Sequence, residues 1–172
     1  MKAVEGYLSK GGYANGSALE ISGSTAEWLK YFSKHTIAKY PEIDAHSLPY
    51  ADNSFDAVFC NQVLEHVRKP WVCVKEFHRV LKDGGMVIIS SPFIYQEHNW
   101  PEDNWRFTVD GLKILCEDFS KIALTHKGGN SKMLQHMIKN PDDRRSKEFN
   151  SLLNHEDQDK IYYVKSTIIA IK

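Results

Sequence analysis

The 172-residue sequence predicts one three-layer α/β domain with a mostly parallel sheet of about six strands. Two observations carry this. From Ser47 to Phe93 the chain runs through a turn cluster, an apolar run, a polar loop, an amphipathic helix, a double glycine and a second apolar run, the order of one βαβ unit. The two runs, FDAVFC from Phe55 and MVIIS from Met86, are nearly continuous rather than alternating and rich in β-branched and aromatic residues, as strands covered on both faces must be.

The elements follow in order. Residues 1–17 hold Gly6, Gly11, Gly12, Asn15 and Gly16 and are expected to be a mobile lead-in to a core spanning 18–172. ALEIS, from Ala18 to Ser22, is a short buried strand. Gly23 and Ser24 turn the chain into a helix around Thr25 to Phe32, and a second strand is expected near Ile37. Asp52, Asn53 and Ser54 are turn formers ahead of Phe55. The fixed φ of Pro70 suits a first helical position. Trp71, Val74, Phe77 and Leu81 then recur at helical spacing, Cys73 and Val80 widen the stripe, and Lys75, Glu76, Arg79 and Lys82 face outward. Gly84 is placed to end this helix in the left-handed conformation, and Gly85 to turn into the next strand.

Pro92 to Thr108 is a loop of about 15 residues, long enough to predict a functional role. Thr108 caps the next helix, Asp110 favours its positive end, and Val109, Leu112, Leu115, Cys116 and Phe119 form its buried stripe. Ile122 to His126 is a strand closed by Gly128 and Gly129. Within 130–159, Met133, Leu134, Met137 and Ile138 predict a short helix, Pro141 breaks it, and DDRRSKE is a solvated face of alternating sign. IYYVKSTIIAI, from Ile161 to Ile171, is the final strand.

Composition excludes several classes. Lys plus Arg and Asp plus Glu both number 22, so no net field draws in nucleic acid or an anionic membrane. No apolar run approaches bilayer length, and MKAVEGYLSKGG carries no apolar leader. Cys60, Cys73 and Cys116 are odd in number, lack CxxC spacing and fall on apolar faces, which predicts reduced core thiols and a cytoplasmic protein.

The series SLPYADNSFDAVFCNQVLEHV, EFHRVLKDGG and VIISSPF resembles, in its order and spacing, the middle of a class I S-adenosylmethionine-dependent methyltransferase of the group that methylates small molecules. The resemblance extends over residues 18–120 and is specific over 44–93. It implies a Rossmann-like fold whose C-terminal strand runs antiparallel, and S-adenosylmethionine as cofactor. In that family the turn after the first strand is glycine-rich so that the backbone can approach the cofactor. Here Glu20 stands at the acidic position of the strand, and Ser22 and Gly23 form the turn, with one glycine in place of two or three. Asp44 and Ala45, ahead of Leu48 in DAHSLPY, match the family's Asp-Ala before a Leu-Pro, where the carboxylate accepts from the adenine amino group. Asn61 and Gln62 match the residues that meet the amino acid part of the cofactor at a strand's carboxyl end.

The chain departs from the family at the second strand. Tyr40 and Pro41, followed by Glu42, stand where a ribose-binding acid belongs. Only about 20 residues separate Gly23 from Asp44, whereas two strands and a full crossover need about 30 or more. One crossover is therefore expected to be collapsed, with no full helix between Ile37 and Asp44.

The pattern PF…H..P.D..R.T resembles one branch of the family, often met beside glycan-building enzymes. His98 is its only side chain with a reference pKa near neutrality, which makes it the candidate base, and His66 is a second candidate for contact with cofactor or acceptor. Glu65 could serve as acid, base or anion partner. Asp103 and Arg106 are read as a pair that holds the loop, and Trp100 and Trp105 as pins to the core. No metal is required, since the sulfonium is already a strong electrophile, and the His residues show no ligand spacing.

The implied function is methyl transfer from S-adenosylmethionine to a small-molecule or glycan-linked acceptor. The alternative is a methyltransferase-like binding or regulatory domain without catalysis, on the strength of the single-glycine turn and absent ribose acid. A nicotinamide oxidoreductase is weaker because GxGxxG is absent. Oligomeric state is left open.

Overall fold

The computed structural model describes residues 2–23, 26–98, 101–141, 143, 146–153 and 163–172. Its elements are α1 (Lys2–Leu8), β1 (Ser17–Ile21), α2 (Ala26–Leu29), β2 (Lys34–Ala38), β3 (Phe55–Asn61), α3 (Pro70–Val80), β4 (Leu81–Pro92), α4 (Val109–Leu115), β5 (Lys121–Gly128), α5 (Ser131–Lys139), α6 (Lys147–Leu153) and β6 (Lys165–Ile171). They form one six-stranded sheet in the order β2-β1-β3-β4-β6-β5. β2, β1, β3 and β4 are parallel neighbours, and β6 runs antiparallel to both β4 and β5. The sheet is thus the one expected, with β6 alone reversed.

Strand periodicity divides the core into two layers. Leu19, Ile21, Val58, Cys60, Val87, Ile89 and Ile168 pack on one face with Val74, Phe77 and Val80 of α3 and Leu112 of α4. Ala18, Ala57, Phe59, Met86, Ile88 and Ile169 point the other way, against Val4 and Leu8 of α1 and Trp28 and Phe32 around α2. Phe59 holds this second layer together, with Trp28 and Phe32 edge-on at 5.8 and 5.5 Å between ring centroids. The three thiols are buried and free, as predicted.

Several local expectations change. The glycine-rich stretch expected as a lead-in contains α1, whose Val4 and Leu8 are buried. α3 ends at Val80, and Gly84, at φ 76, serves an irregularity in β4 rather than a helix cap. Leu81 already pairs with Phe55, and pairing resumes at Met86 opposite Ala57. Gly85 is needed there because a Cβ would come within 2.8 Å of the Lys82 carbonyl oxygen and 3.1 Å of that of Asp56. Asp56, the polar exception in its strand, accepts from the Ser17 N–H at 2.7 Å and pairs with Lys82 Nζ at 2.9 Å, clamping the amino ends of β1, β3 and β4. Of the expected helix around Thr25 to Phe32, α2 covers Ala26–Leu29; Ser24 and Thr25 lie outside the described residues, as do Trp100, Ile161 and Tyr162.

The collapsed crossover is where it was expected. β1 reaches β2 through one helical turn, and residues 39–54 connect β2 to β3 with neither helix nor strand. This connection is held by Arg79 of α3. Its guanidinium donates to the carbonyls of Leu48 (3.0 Å) and Tyr50 (2.8 Å), to Asp52 Oδ1 (2.7 Å) and to both oxygens of Glu76 (2.8 Å each). Glu76 in turn accepts from the Leu48 N–H at 2.8 Å. A fork that satisfies two backbone carbonyls and two carboxylates substitutes for the missing element. Arg79→Met, which keeps the stem and removes the fork, is expected to cost about 2 kcal/mol and lower the thermal midpoint by about 4–8 °C. Urea and thermal unfolding check this; a loss below about 0.5 kcal/mol would show that the connection is held by packing alone.

Candidate functional site

In open α/β sheets ligands bind beyond the carboxyl ends of the strands where strand order reverses. Here that point lies between β1 and β3, where Ile21, the last residue of β1, pairs with Cys60, next to the end of β3. The chain leaves β1 through Ser22 and Gly23, at φ 69 and 74, and leaves β3 through Asn61 and Gln62, the latter at φ 57. Left-handed conformations at Ser22 and Gln62 are strained for side chains with a Cβ, and such strain clusters at binding sites. The Ser22 N–H bonds to the Ala38 carbonyl at 2.8 Å, tying the turn to β2. Above Gly23 there is room: among the described residues a Cβ would meet only Ile37 Cγ2, at 3.5 Å. Glu20 is buried beneath the turn.

Asp44 lies on the connection after β2. Its exposed carboxylate accepts from the His46 N–H at 2.9 Å and pairs with His46 Nδ1 at 2.6 Å. The His46 backbone N–H holds the Asp44 carboxyl below the ordinary carboxylate range, against partial burial. Ala45 and Leu48 place their side chains in the core, and both backbone groups of Leu48 are engaged by Glu76 and Arg79. The Gln62 N–H donates to the Ser90 carbonyl at 2.7 Å, and its side chain reaches Ser90 Oγ at 3.3 Å.

Beyond Gln62 the chain folds under the long loop. Glu65 is fully buried; its Oε2 accepts from Ser91 Oγ at 3.1 Å, while its carbonyl accepts from the N–H groups of Asn104 (2.7 Å) and Trp105 (3.1 Å). Burial pushes the Glu65 carboxyl up to about 7. His66 Nδ1 bonds to the Glu102 carbonyl, and its ring stands edge-on to that of His98, centroids 5.0 Å apart. His98 Nδ1 faces the Gln96 carbonyl and Asp103 Oδ2, each at 3.3 Å, and burial lowers its pKa against the pull of Asp103. Asp103 is gripped through both oxygens by Arg106 and accepts from the His98 N–H at 2.8 Å, so the pair holds the loop as expected. Arg106 keeps the Asp103 carboxyl down at about 2. Trp105 donates to the Val67 carbonyl at 2.9 Å but is exposed, so it ties the loop to the connection after β3 rather than pinning it to the core as expected.

The fold therefore brings Glu65, His66 and His98 into one cluster, with a ligand atom of each within 4.8 Å of the others. Sequence spacing conceals this, because His98 lies on a different connection from the other two. Glu20, Ser22, Gly23, Asn61 and Gln62 gather at the β1/β3 crevice, and Asp44 follows the neighbouring strand. A groove of about 230 Å³ between α3 and α4, lined by Trp71, His78, Ile114 and Phe119 among others, contains none of these residues.

A family described as "Methyltransferase domain" matches residues 4–89, half of the chain. An uncharacterized methyltransferase of Mycobacterium tuberculosis is 46% identical over 44 residues, 26% of this chain and 17% of that protein. The chain spans between 13% and 21% of the length of such curated relatives in their alignments. Among solved structures, a SAM-dependent methyltransferase from Archaeoglobus fulgidus superposes with a TM-score of 0.64 at 14% identity, over 99% of this chain and 92% of that one. Phosphoethanolamine N-methyltransferase 2 of Haemonchus contortus, solved with S-adenosyl-L-methionine, gives 0.62 at 13% identity, over 99% and 52%. At these identities the structures share the fold.

The left-handed φ of Ser22 has a measurable consequence. Ser22→Gly removes a Cβ from a conformation that costs an L-residue about 1–2 kcal/mol and returns part of that as unfolded-state entropy. The expected gain is up to about 1 kcal/mol, or a rise of about 2–4 °C in thermal midpoint. A lower midpoint in the variant would show that the Ser22 side chain contributes more than its strain costs.

Proposed function

Since the chain belongs to the methyltransferase domain family, we propose that it transfers a methyl group from S-adenosylmethionine to a small-molecule or glycan-linked acceptor. The observation that carries this is the crevice between β1 and β3, flanked by left-handed backbone at Ser22–Gly23 and at Gln62. Glu20, Ser22 and Gly23 approach the cofactor from β1, Asp44, with Ala45 and Leu48 behind it, receives the adenine amino group, and Asn61 and Gln62 meet the amino acid end. The loop from Phe93 to Phe107 faces the acceptor with His98, and His66 stands behind it.

The chemistry asks little of the protein beyond alignment and exclusion of water, because the sulfonium supplies its own leaving group. Where the acceptor is a hydroxyl or amine that loses a proton, a His98 imidazole held neutral by burial suits a base. Three buried thiols suit a reducing compartment, here the cytoplasm, and among the described residues no helix is long and apolar enough to cross a membrane. A second reading, a binding domain without catalysis, is favoured by one observation: residues 39–54 lack the helix and strand that complete the adenosine side of the pocket.

Calorimetric titration with S-adenosylhomocysteine tests the proposal. The parent chain is expected to bind, and Asp44→Ala to bind about tenfold more weakly while keeping its thermal midpoint, as loss of a hydrogen bond to a charged group implies. Unchanged affinity in Asp44→Ala removes Asp44 from the adenine site, and no binding by the parent favours the second reading. With an acceptor in hand, His98→Ala is expected to lower turnover at least about tenfold with little change in cofactor affinity. Equal turnover leaves alignment as the catalytic device.

A further inference from the structure

We propose that Glu65, His66 and His98 bind a divalent first-row transition-metal ion. The lone pairs in the cluster carry this. His66 Nδ1 bonds to the Glu102 carbonyl, which only accepts, so Nδ1 carries the hydrogen and Nε2 of the neutral ring presents a lone pair. That nitrogen faces Glu65 Oε1 at 3.8 Å, another acceptor. Oε1 is buried and has no hydrogen-bond partner among the described residues, although its twin oxygen is satisfied by Ser91. His98 Nδ1 faces two acceptors, the Gln96 carbonyl and Asp103 Oδ2, which assigns its hydrogen to Nδ1 as well and leaves Nε2 as the nitrogen without a hydrogen. With Glu65 ionised, three acceptor groups converge with no donor among them in the described residues, an arrangement that a cation relieves.

The outer contacts are those that ligating histidines use. Each imidazole donates its Nδ1–H to a backbone carbonyl or carboxylate, which fixes the tautomer and leaves the other nitrogen available as a ligand. Asp103 is neutralised by Arg106, so Glu65 supplies the single carboxylate. Two imidazoles and one carboxylate suit zinc, iron(II) or cobalt(II), and three protein ligands leave a coordination position open. Bonds of about 2.1 Å require the ligand atoms to close to roughly 3–3.5 Å of one another.

The ion site stands on this geometry alone; its use in catalysis rests on the methyl-transfer proposal. An ion there would hold an acceptor hydroxyl and lower its pKa. The hydroxyl proton passes to solvent, the oxygen forms the new bond to the methyl carbon, and the S–CH3 electron pair returns to sulfur, giving the neutral thioether. His98 then acts as a ligand and not as the free base.

The chelator-stripped chain, titrated with Co(II) by visible absorption and with Zn(II) by calorimetry, tests the site without any acceptor. The expected result is one ion per chain, bound at micromolar or tighter Kd. Glu65→Gln and His98→Ala are each expected to weaken binding at least tenfold, and His35→Ala, on the exposed edge strand, to leave it unchanged. Should Glu65→Gln fail to fold, His98→Ala, on the loop, decides alone. Absence of stoichiometric binding, or binding that both variants retain, overturns the proposal and leaves a shared proton as the occupant. A parallel titration with S-adenosylhomocysteine keeps the two readings apart: nucleoside binding without ion binding overturns this proposal only, and the reverse overturns methyl transfer while the ion site stands.

Discussion

The sheet tolerates the loss of a whole connecting layer because one guanidinium takes its place. Parallel strands ordinarily need a helix to return the chain, and the helix also covers the sheet. Between β2 and β3 that cover is supplied by residues 43–50, pressed onto α3 by Arg79 and Glu76. Buried Ala45 and Leu48, and the start of β3 beside Ser54, all follow from where Arg79 holds the backbone. Asp56 performs the corresponding task at the amino end of the sheet, where Ser17 and Lys82 converge on it.

At the opposite edge the decisive group is Glu65. Its carbonyl receives two N–H groups from the long loop, and its carboxylate lies against Ser91 at the end of β4. One residue thus joins the exits of β3 and β4 to the segment that covers them. The loop is closed at both ends as well: the Phe93 N–H bonds to the Val164 carbonyl, and the Phe107 N–H to the Pro92 carbonyl. A loop so tied presents its side chains from a scaffold, which is what a site needs.

Much of this was legible in the residues. The apolar runs of β3, β4 and β6, the Pro70 start of α3, the Thr108 cap, and the Asp103–Arg106 clamp all depend on interactions within a few positions or on simple burial, and pattern reports those faithfully. What escaped detection depends on long-range meeting. Arg79 reads as an outward-facing charge because its partners lie about 30 positions upstream. α1 hides behind glycines, and its Val4 and Leu8 become meaningful only once the second layer exists. Gly84 has the predicted conformation in a different role, since helix caps and strand irregularities ask the same of a backbone. Glu65 and His66 come from one connection and His98 from another, so only the closed sheet places them together.

The position of β6 carries a consequence for how the chain is made. This strand sits between β4 and β5, both of which precede it, and its Ile168 and Ile169 are buried in opposite layers of the core. During synthesis β5 therefore has no neighbour to pair with until residues 165–171 have left the ribosome, and β4 must wait with one edge open. Nascent chains of this fold pass through an interval in which two strand edges are unpaired at once. That interval, more than the finished domain, is where chaperones would find something to hold.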